Sequence, residues 1–226
     1  MRFRSKRYKK EVQEVAEAAL SLPEAVVKVK TFKSVKFDQS IECVLQLGID
    51  SKQAEQAIRG SISLPHGIGK QKKVIAFCED TDIEAALKAG AVEAGNDALI
   101  KKVLDGWLDF DVAVASPKVM GKVSKLGRTL GPQGKMPSPK NGTVTSDVVT
   151  GVAEFAAGKV EYRNDAGGNV HVVVGKQSFE NQKLIENIEA FISHIKRIRP
   201  TTAKGSYIKK MSISAAMSPG VRVVVG

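Results

Sequence analysis

Cations without catalytic company are the residues of this 226-residue chain best suited to chemistry. Residues 112–146 hold Lys118, Lys122, Lys125, Arg128, Lys135 and Lys140 and not one aspartate or glutamate. Within that stretch, residues 126–137 pack glycines and prolines around Arg128 and Lys135. Such a segment is a loop of fixed shape that can approach a phosphate backbone closely. Glycine and proline equally punctuate a purely structural loop, so both readings stand at this point. A second cationic run, Lys28, Lys30, Lys33 and Lys36, leads into Phe37. An aromatic there can stack on an unpaired base or a ribose, or it can begin a core strand.

Other chemistries find no foothold. A phosphate loop needs glycine five residues before its Gly-Lys pair and Ser or Thr after it. Here Thr129 stands five before Gly134, and Met136 follows Lys135. No first strand runs into a G-x-G-x-x-G turn. His66, His171 and His194 read as a linker residue, a strand residue and the polar side of a long helix, without metal-ligand spacing. No nucleophile elbow appears, and the carboxylates sit as solvated faces. Cys43 and Cys78 lie in apolar runs and read as buried thiols of a reducing compartment. The expectation is therefore no enzyme, no cofactor and no metal.

Charge narrows the partner. Lysine and arginine number 35 against 24 acids, a formal net charge of +11 and a pI near 9.6, which favours a polyanion. Nucleic acid leads, anionic membrane follows, and a basic excess that only aids solubility is the bland alternative. The opening MRFRSKRYKK lacks the apolar core and cleavage site of a secretory signal, and no run reaches membrane-spanning length. A cytoplasmic protein with no membrane partner is expected.

These side chains need elements to position them. Apolar spacing predicts a helix over 9–20, halted by Pro23, and a strand over 41–47 from the alternation of Ile41, Cys43, Leu45 and Leu47. A short helix capped by Ser51 is predicted through Arg59. From Lys73 the rhythm becomes strand (74–77), helix (82–89), brief strand (91–92), helix (96–105) and strand (110–115). A helix opening at Pro117, the Gly/Pro loop and a helix over 146–157 follow, the signature of a helix-covered parallel sheet. Past Gly158 alternation returns as a hairpin turning through residues 164–168, followed by a helix over 180–199 and strands over 206–214 and 221–225.

The parallel segment reads as an insertion. The fold class expected is α/β in two domains: a discontinuous domain with a split sheet of antiparallel strands and helices, residues 1–67 and 159–226, and an inserted three-layer Rossmann-like domain, residues 68–158. The charge partitions the same way. The ends hold 12 basic and 8 acidic residues plus 11 and 5, net +10, whereas the middle holds 12 and 11, net +1. That is the split expected of a phosphate-binding domain with an accessory domain attached.

Taken together these stretches resemble the large-subunit ribosomal protein L-one family, the mobile stalk protein beside the ribosomal exit site, in its bacterial form. The resemblance covers nearly the whole chain. It is carried by Lys36-Phe37 with Ser40, Leu47-Gly48-Ile49-Asp50, Arg59-Gly60, Leu64-Pro65-His66-Gly67 and Phe110-Asp111, with Ala115-Ser116-Pro117. Residues 126–137 and 139–144, Tyr162-Arg163-Asn164-Asp165, His171, Gly175-Lys176 and Ala203-Lys204-Gly205 complete it.

The resemblance implies a ribosome-associated protein, monomeric when free, whose split domain grips a stem-loop region of large-subunit rRNA. It implies an inserted domain that reaches toward tRNA leaving the exit site, and repression of the chain's own operon mRNA. Carried over residue by residue, the RNA contacts are Lys36, Phe37, Ser40, Arg59, His171, Lys176, Ser178, Lys204, Ser214, Met217 and Pro219. The cations are expected to meet phosphates, Phe37, Met217 and Pro219 to meet sugars, and the hydroxyls and His171 to bond 2′-OH groups. The tRNA-facing set is Lys118, Lys122, Lys125, Arg128, Lys135 and Lys140, and the hinge is Gly67, Gly69 and Gly158. Where the family commonly has Thr-Met-Gly-Pro this chain reads Ala216-Met217-Ser218-Pro219, and Gln39 replaces the usual glutamate. Two other classes remain in view: a nucleotide-dependent enzyme on the inserted domain, and a messenger-RNA repressor that never resides on the ribosome.

Overall fold

The computed structural model describes residues 5–15, 18–32, 35–53 and 55–225. Lys33 and Ala16, named in the lysine run and the first helix, lie outside them. The helices are α1 (Lys6–Gln13), α2 (Leu22–Thr31), α3 (Ile83–Lys88), α4 (Asp97–Leu104), α5 (Met120–Val123), α6 (Gly127–Leu130), α7 (Val148–Ala156) and α8 (Asn181–Arg197). The strands are β1 (Ser40–Leu47), β2 (Arg59–Ile62), β3 (Val74–Phe77), β4 (Ala91–Gly95), β5 (Val112–Ala115), β6 (Val160–Arg163), β7 (Asn169–Lys176), β8 (Ile208–Ala215) and β9 (Val221–Val223). The chain divides into one compact unit of Met1–Gly69 with Val160–Gly226 and another of Lys70–Lys159.

In the first unit an antiparallel sheet runs β7-β1-β8-β9, with β2 and β6 paired separately. Strict alternation makes β1 two-faced: Ile41, Cys43, Leu45 and Leu47 are buried while Ser40, Glu42, Val44 and Gln46 stay partly open. Leu184, Ile188, Phe191 and Ile195 of α8 and Ala25, Val26 and Val29 of α2 share a core with the buried strand positions. Each large side chain so enclosed contributes roughly 1.5–3 kcal/mol. The opposite sheet face keeps its polar residues.

The second unit is a parallel sheet, order β4-β3-β5. Its strands are buried on both sides, so successive residues feed two cores. Ile75, Phe77, Ala113 and Ala115 meet Leu99, Val103, Val123, Leu126 and Leu130 of the α4–α6 side. Val74, Ala76, Val112 and Val114 meet Ala86, Val152 and Phe155 of α3 and α7. Three layers result.

Three local expectations fail for identifiable reasons. The first helix stops at Gln13, and Pro23, read as a stop, sits in the first turn of α2, where its missing N–H costs nothing. The Ser21 N–H donates to Glu24 Oε2 at 3.1 Å and closes the cap. Among the described residues between Ser51 and Arg59 there is no helix. Asp50 Oδ1 and Gln56 Oε1 accept backbone N–H groups locally (Lys52 N at 3.1 Å, Asp50 N at 2.8 Å), and Arg59 instead opens β2. The start of the Gly/Pro stretch is helical, α6 following the 3-10 turn Ser124–Leu126, because Leu126 and Leu130 are drawn fully into the core; residues 131–137 are the turn and loop expected.

Candidate nucleic-acid interface

One end of the antiparallel sheet gathers three segments far apart in sequence. Ser40 opens β1 directly opposite Lys176 at the end of β7, and Lys176 Nζ donates to Ser40 Oγ at 2.9 Å. Ser214 lies opposite Glu42 on the neighbouring strand, on the same partly open face. Past β8 the chain turns, and the Ala216 N–H donates to Ser40 O at 2.9 Å, fixing the turn to the start of β1. Ser178 is held from the other side: its N–H and Oγ donate to the two carboxylate oxygens of Asp38 at 3.0 and 2.8 Å.

The turn carries the strained residue. Met217 has φ +65°, the only non-glycine residue with positive φ among those described, and is 69% exposed. An L side chain pays sterically for that conformation, so neighbours must impose it. Arg7 Nη2 donates to Met217 O at 2.8 Å, and Gln39 Nε2 donates to Ala216 O at 2.8 Å. Gln39 is fully buried, and its Nε2 also reaches Ser218 Oγ at 3.4 Å. An ionised glutamate there could not donate to the Ala216 carbonyl, so the amide adds a hold on this turn that the carboxylate lacks. Gln39 and Ser218, both departures noted in the sequence, are thus neighbours.

Phe37 is 52% exposed, which removes the core-strand reading of that residue. Lys36 beside it is exposed. Lys36, Phe37, Ser40, Lys176, Ser178, Ser214 and Met217 therefore share one end of the sheet. Pro219 does not offer the expected surface: it is buried, and shapes the turn from inside. Three others lie elsewhere. His171 is opposite Val44 at mid-sheet, with Nε2 3.7 Å from Asp165 Oδ2. Arg59 is opposite Arg163 in the separate two-stranded ladder. Lys204 precedes β8, whose Ile208 pairs with Leu47 at the far end of β1. Of the lysine run, Lys28 and Lys30 belong to α2, where Lys30 Nζ donates to Phe179 O.

In the second unit the cationic stretch is partly engaged. Lys118 Nζ lies 2.9 Å from Glu79 and Lys122 Nζ 2.8 Å from Asp97. The hydrogen bond from Lys122 pulls the Asp97 carboxyl below its usual range, and the Glu79 bond pushes Lys118 up. Lys135 Nζ donates to Leu108 O at 3.0 Å and sits 5.0 Å above the Phe110 ring. Lys125, Arg128 and Lys140 are exposed. Gly67, Gly69 and Gly158 take φ of +61°, +71° and +109°. A Cβ on Gly69 would come within 2.8 Å of the Phe179 ring, and at φ +71° a side chain there would be both crowded and strained.

Residues 29–219 match the model of the Ribosomal protein L1p/L10e family. The chain belongs to this family. It is also 45% identical over 221 residues to the large ribosomal subunit protein uL1 of Thermobifida fusca (strain YX), covering 97% of this chain and 94% of that relative. The family is one of structural ribosomal proteins of the cytoplasm and not of enzymes, which removes the nucleotide-enzyme alternative. No group of histidine, cysteine or carboxylate side chains among the described residues could hold a metal ion. No described helix is long and apolar enough to cross a membrane. Both cysteines are unpaired and buried, as their apolar contexts predict.

What the sequence missed in this ribosomal protein are the supports: Asp38 behind Ser178, Arg7 behind Met217, and the donor role of Gln39. No spacing rule links Arg7 to Met217, 210 residues later. Asp38 and Gln39 carried a signal, polar residues beside an aromatic just before an alternating strand.

Proposed function

We propose that this structural protein of the large ribosomal subunit binds a stem-loop region of large-subunit rRNA through the sheet end that bears Lys36, Phe37, Ser40, Lys176, Ser178, Ser214 and Met217. The observation that carries this reading is the convergence there of an exposed aromatic, an exposed thioether held in a strained turn, two ammonium groups and three hydroxyls. Nothing in a self-contained fold requires Phe37 and Met217 to stand in water, whereas an RNA ribose offers them apolar contact. Lys36 and Lys176 supply phosphate charge, and the hydroxyls suit 2′-OH groups, which separate RNA from DNA. In this reading Arg59, His171 and Lys204 are peripheral contacts.

The unit of residues 70–159 is the part directed toward tRNA leaving the exit site. Exposed Lys125, Arg128 and Lys140 are its contacts, and Gly67, Gly69 and Gly158 supply the hinge's backbone freedom. The same rRNA-binding surface binds a similar structure in the chain's own operon mRNA and represses it. RNA crosslinking of the full chain to an rRNA stem-loop fragment, with residue-level mapping, tests the assignment. Crosslinks at Phe37, Lys176 and Met217 are expected; a map confined to the α8 side of the unit would sink it. Sedimentation of cell extract separates ribosomal residence from repression alone, since a pure repressor stays off the large subunit.

A further inference from the structure

We propose that the open face of the antiparallel sheet carries a second RNA contact, a phosphate-binding groove on the half remote from Phe37 and Met217. The register supplies it in two rows. Asn169, Gln46 and Lys210 stand side by side across β7, β1 and β8; His171, Val44, Ser212 and Arg222 form the next row across all four strands. Residues of the opposite parity fill the core, so this face points outward. Val44, Gln46, Asn169, Lys210, Ser212 and Arg222 line a groove of about 550 Å³ here.

Charge and chemistry select the occupant. Lys210 and Arg222 are exposed and make no ion pair among the described residues. The carboxylate of the adjoining hairpin, Asp165, is already occupied: it accepts from the Asn169 side chain at 2.9 Å and from the Asn169 and Gly167 N–H groups at 2.7 and 2.8 Å. Glu42, on the open face itself, stands one row nearer the Phe37 end, opposite Ser214 and on a different strand from either cation. Unpaired cations set among amide and hydroxyl groups match a sugar–phosphate backbone, with the guanidinium fork and ammonium on phosphates and the amides and Ser212 on ribose hydroxyls. Neither row holds Phe, Tyr or Trp, and the imidazole of His171 stands outside the groove lining, so the groove itself offers no stacking platform for splayed bases and suits the backbone of a paired stem.

The groove rests on the RNA reading above and extends it. Gln46 is six residues from Ser40 along β1, roughly 20 Å at the usual rise, so one stem lying along the strands would meet both ends. No local pattern points to this groove, because Gln46, Asn169, Lys210 and Arg222 are separated by up to 176 positions and meet only through strand order.

The test is the full-length double variant Lys210→Gln/Arg222→Gln, titrated with an rRNA stem-loop fragment between low and moderate salt. Both side chains are exposed, and the thermal transition checks that the fold persists. Two lost phosphate contacts reduce the slope of log affinity on log salt by about two. The control, Lys88→Gln/Lys101→Gln, removes the same net charge from exposed sites of the other unit and should leave the slope unchanged. A wild type that binds while the Lys210/Arg222 variant keeps the wild-type slope overturns the groove and leaves the RNA reading standing. A wild type with no salt-sensitive binding overturns both.

Discussion

The lysines of the cationic stretch and those of the open sheet are the same residue in opposite circumstances. In the Lys70–Lys159 unit, Lys70, Lys73, Lys102, Lys118, Lys122 and Lys159 each sit within ion-pair distance of a carboxylate. That unit has 13 basic and 11 acidic residues, so most positive charge has a negative neighbour to find. The unit built from the chain ends has 22 and 13, and Lys36, Lys204, Lys210 and Arg222 make no ion pair among the described residues. Counting cations along a stretch therefore overstates the first and, in the second, does not reach Lys210 and Arg222. A phosphate competes poorly for an ammonium already bonded to a carboxylate, and well for one that faces only water.

The comparison breaks first at the level of folding. Phe191 is fully buried in the core of the end-derived unit, and Phe191→Ala should cost about 3–5 kcal/mol, the usual cost of emptying so large a site. The two cysteines report the units separately. Cys43 lies in the first core and burial pushes its thiol up to about 12; Cys78, also raised by burial, lies in the second. Neither thiol is expected to react near neutral pH in the native chain, because the reactive thiolate is suppressed. In denaturant, Phe191→Ala should expose Cys43 to a thiol reagent earlier while the Cys78 midpoint stays put. If both midpoints shift together, the two units do not hold independent cores.

Next in size is the effect of the exposed aromatic. Phe37→Ala should weaken rRNA binding by about 1–3 kcal/mol with little change in thermal stability, since the ring is half in water. Met217→Gly sharpens the point by splitting the two quantities. Glycine accepts φ +65° without strain, so stability should hold or rise by up to about 1 kcal/mol while rRNA affinity falls. Loss of both together would make Met217 a packing residue and not a contact.

Much of the architecture was legible, for a reason visible in particular residues. Ile41, Cys43, Leu45 and Leu47 announce β1 because a half-buried strand must alternate, and Leu184, Ile188, Phe191 and Ile195 announce α8 because a half-buried helix must recur every three to four residues. Only the opening turn of the Gly/Pro stretch, Gly127–Leu130, departs from the loop expected, because glycine's low helix propensity is outweighed by the core's demand for Leu126 and Leu130; residues 131–137 are turn and loop. The exposure of Phe37 could not be read, since an aromatic before a strand fits either environment. Neither could the cluster itself: Ser40, Lys176 and Met217 become neighbours only through the order β7-β1-β8, which no local pattern encodes.

The smallest expected effect follows the most drastic change. Removing residues 70–159 and bridging Gly69 to Val160 with a short flexible linker takes away the whole inserted unit, including 13 of the 35 cations. The core that supports the interface is drawn wholly from the chain ends, and β2 already brings Ile62 opposite Val160, next to the cut. The bridged chain should fold, and its rRNA affinity should stay within about threefold, under roughly 0.7 kcal/mol. A net charge falling only from +11 to +9 leaves the long-range attraction nearly intact, because the removed segment carries almost as many acids as bases. If the bridged chain folds, with Cys43 protected, yet binds more than tenfold more weakly, then cations of the inserted unit take part in rRNA binding, and the distinction between paired and available charge loses its force.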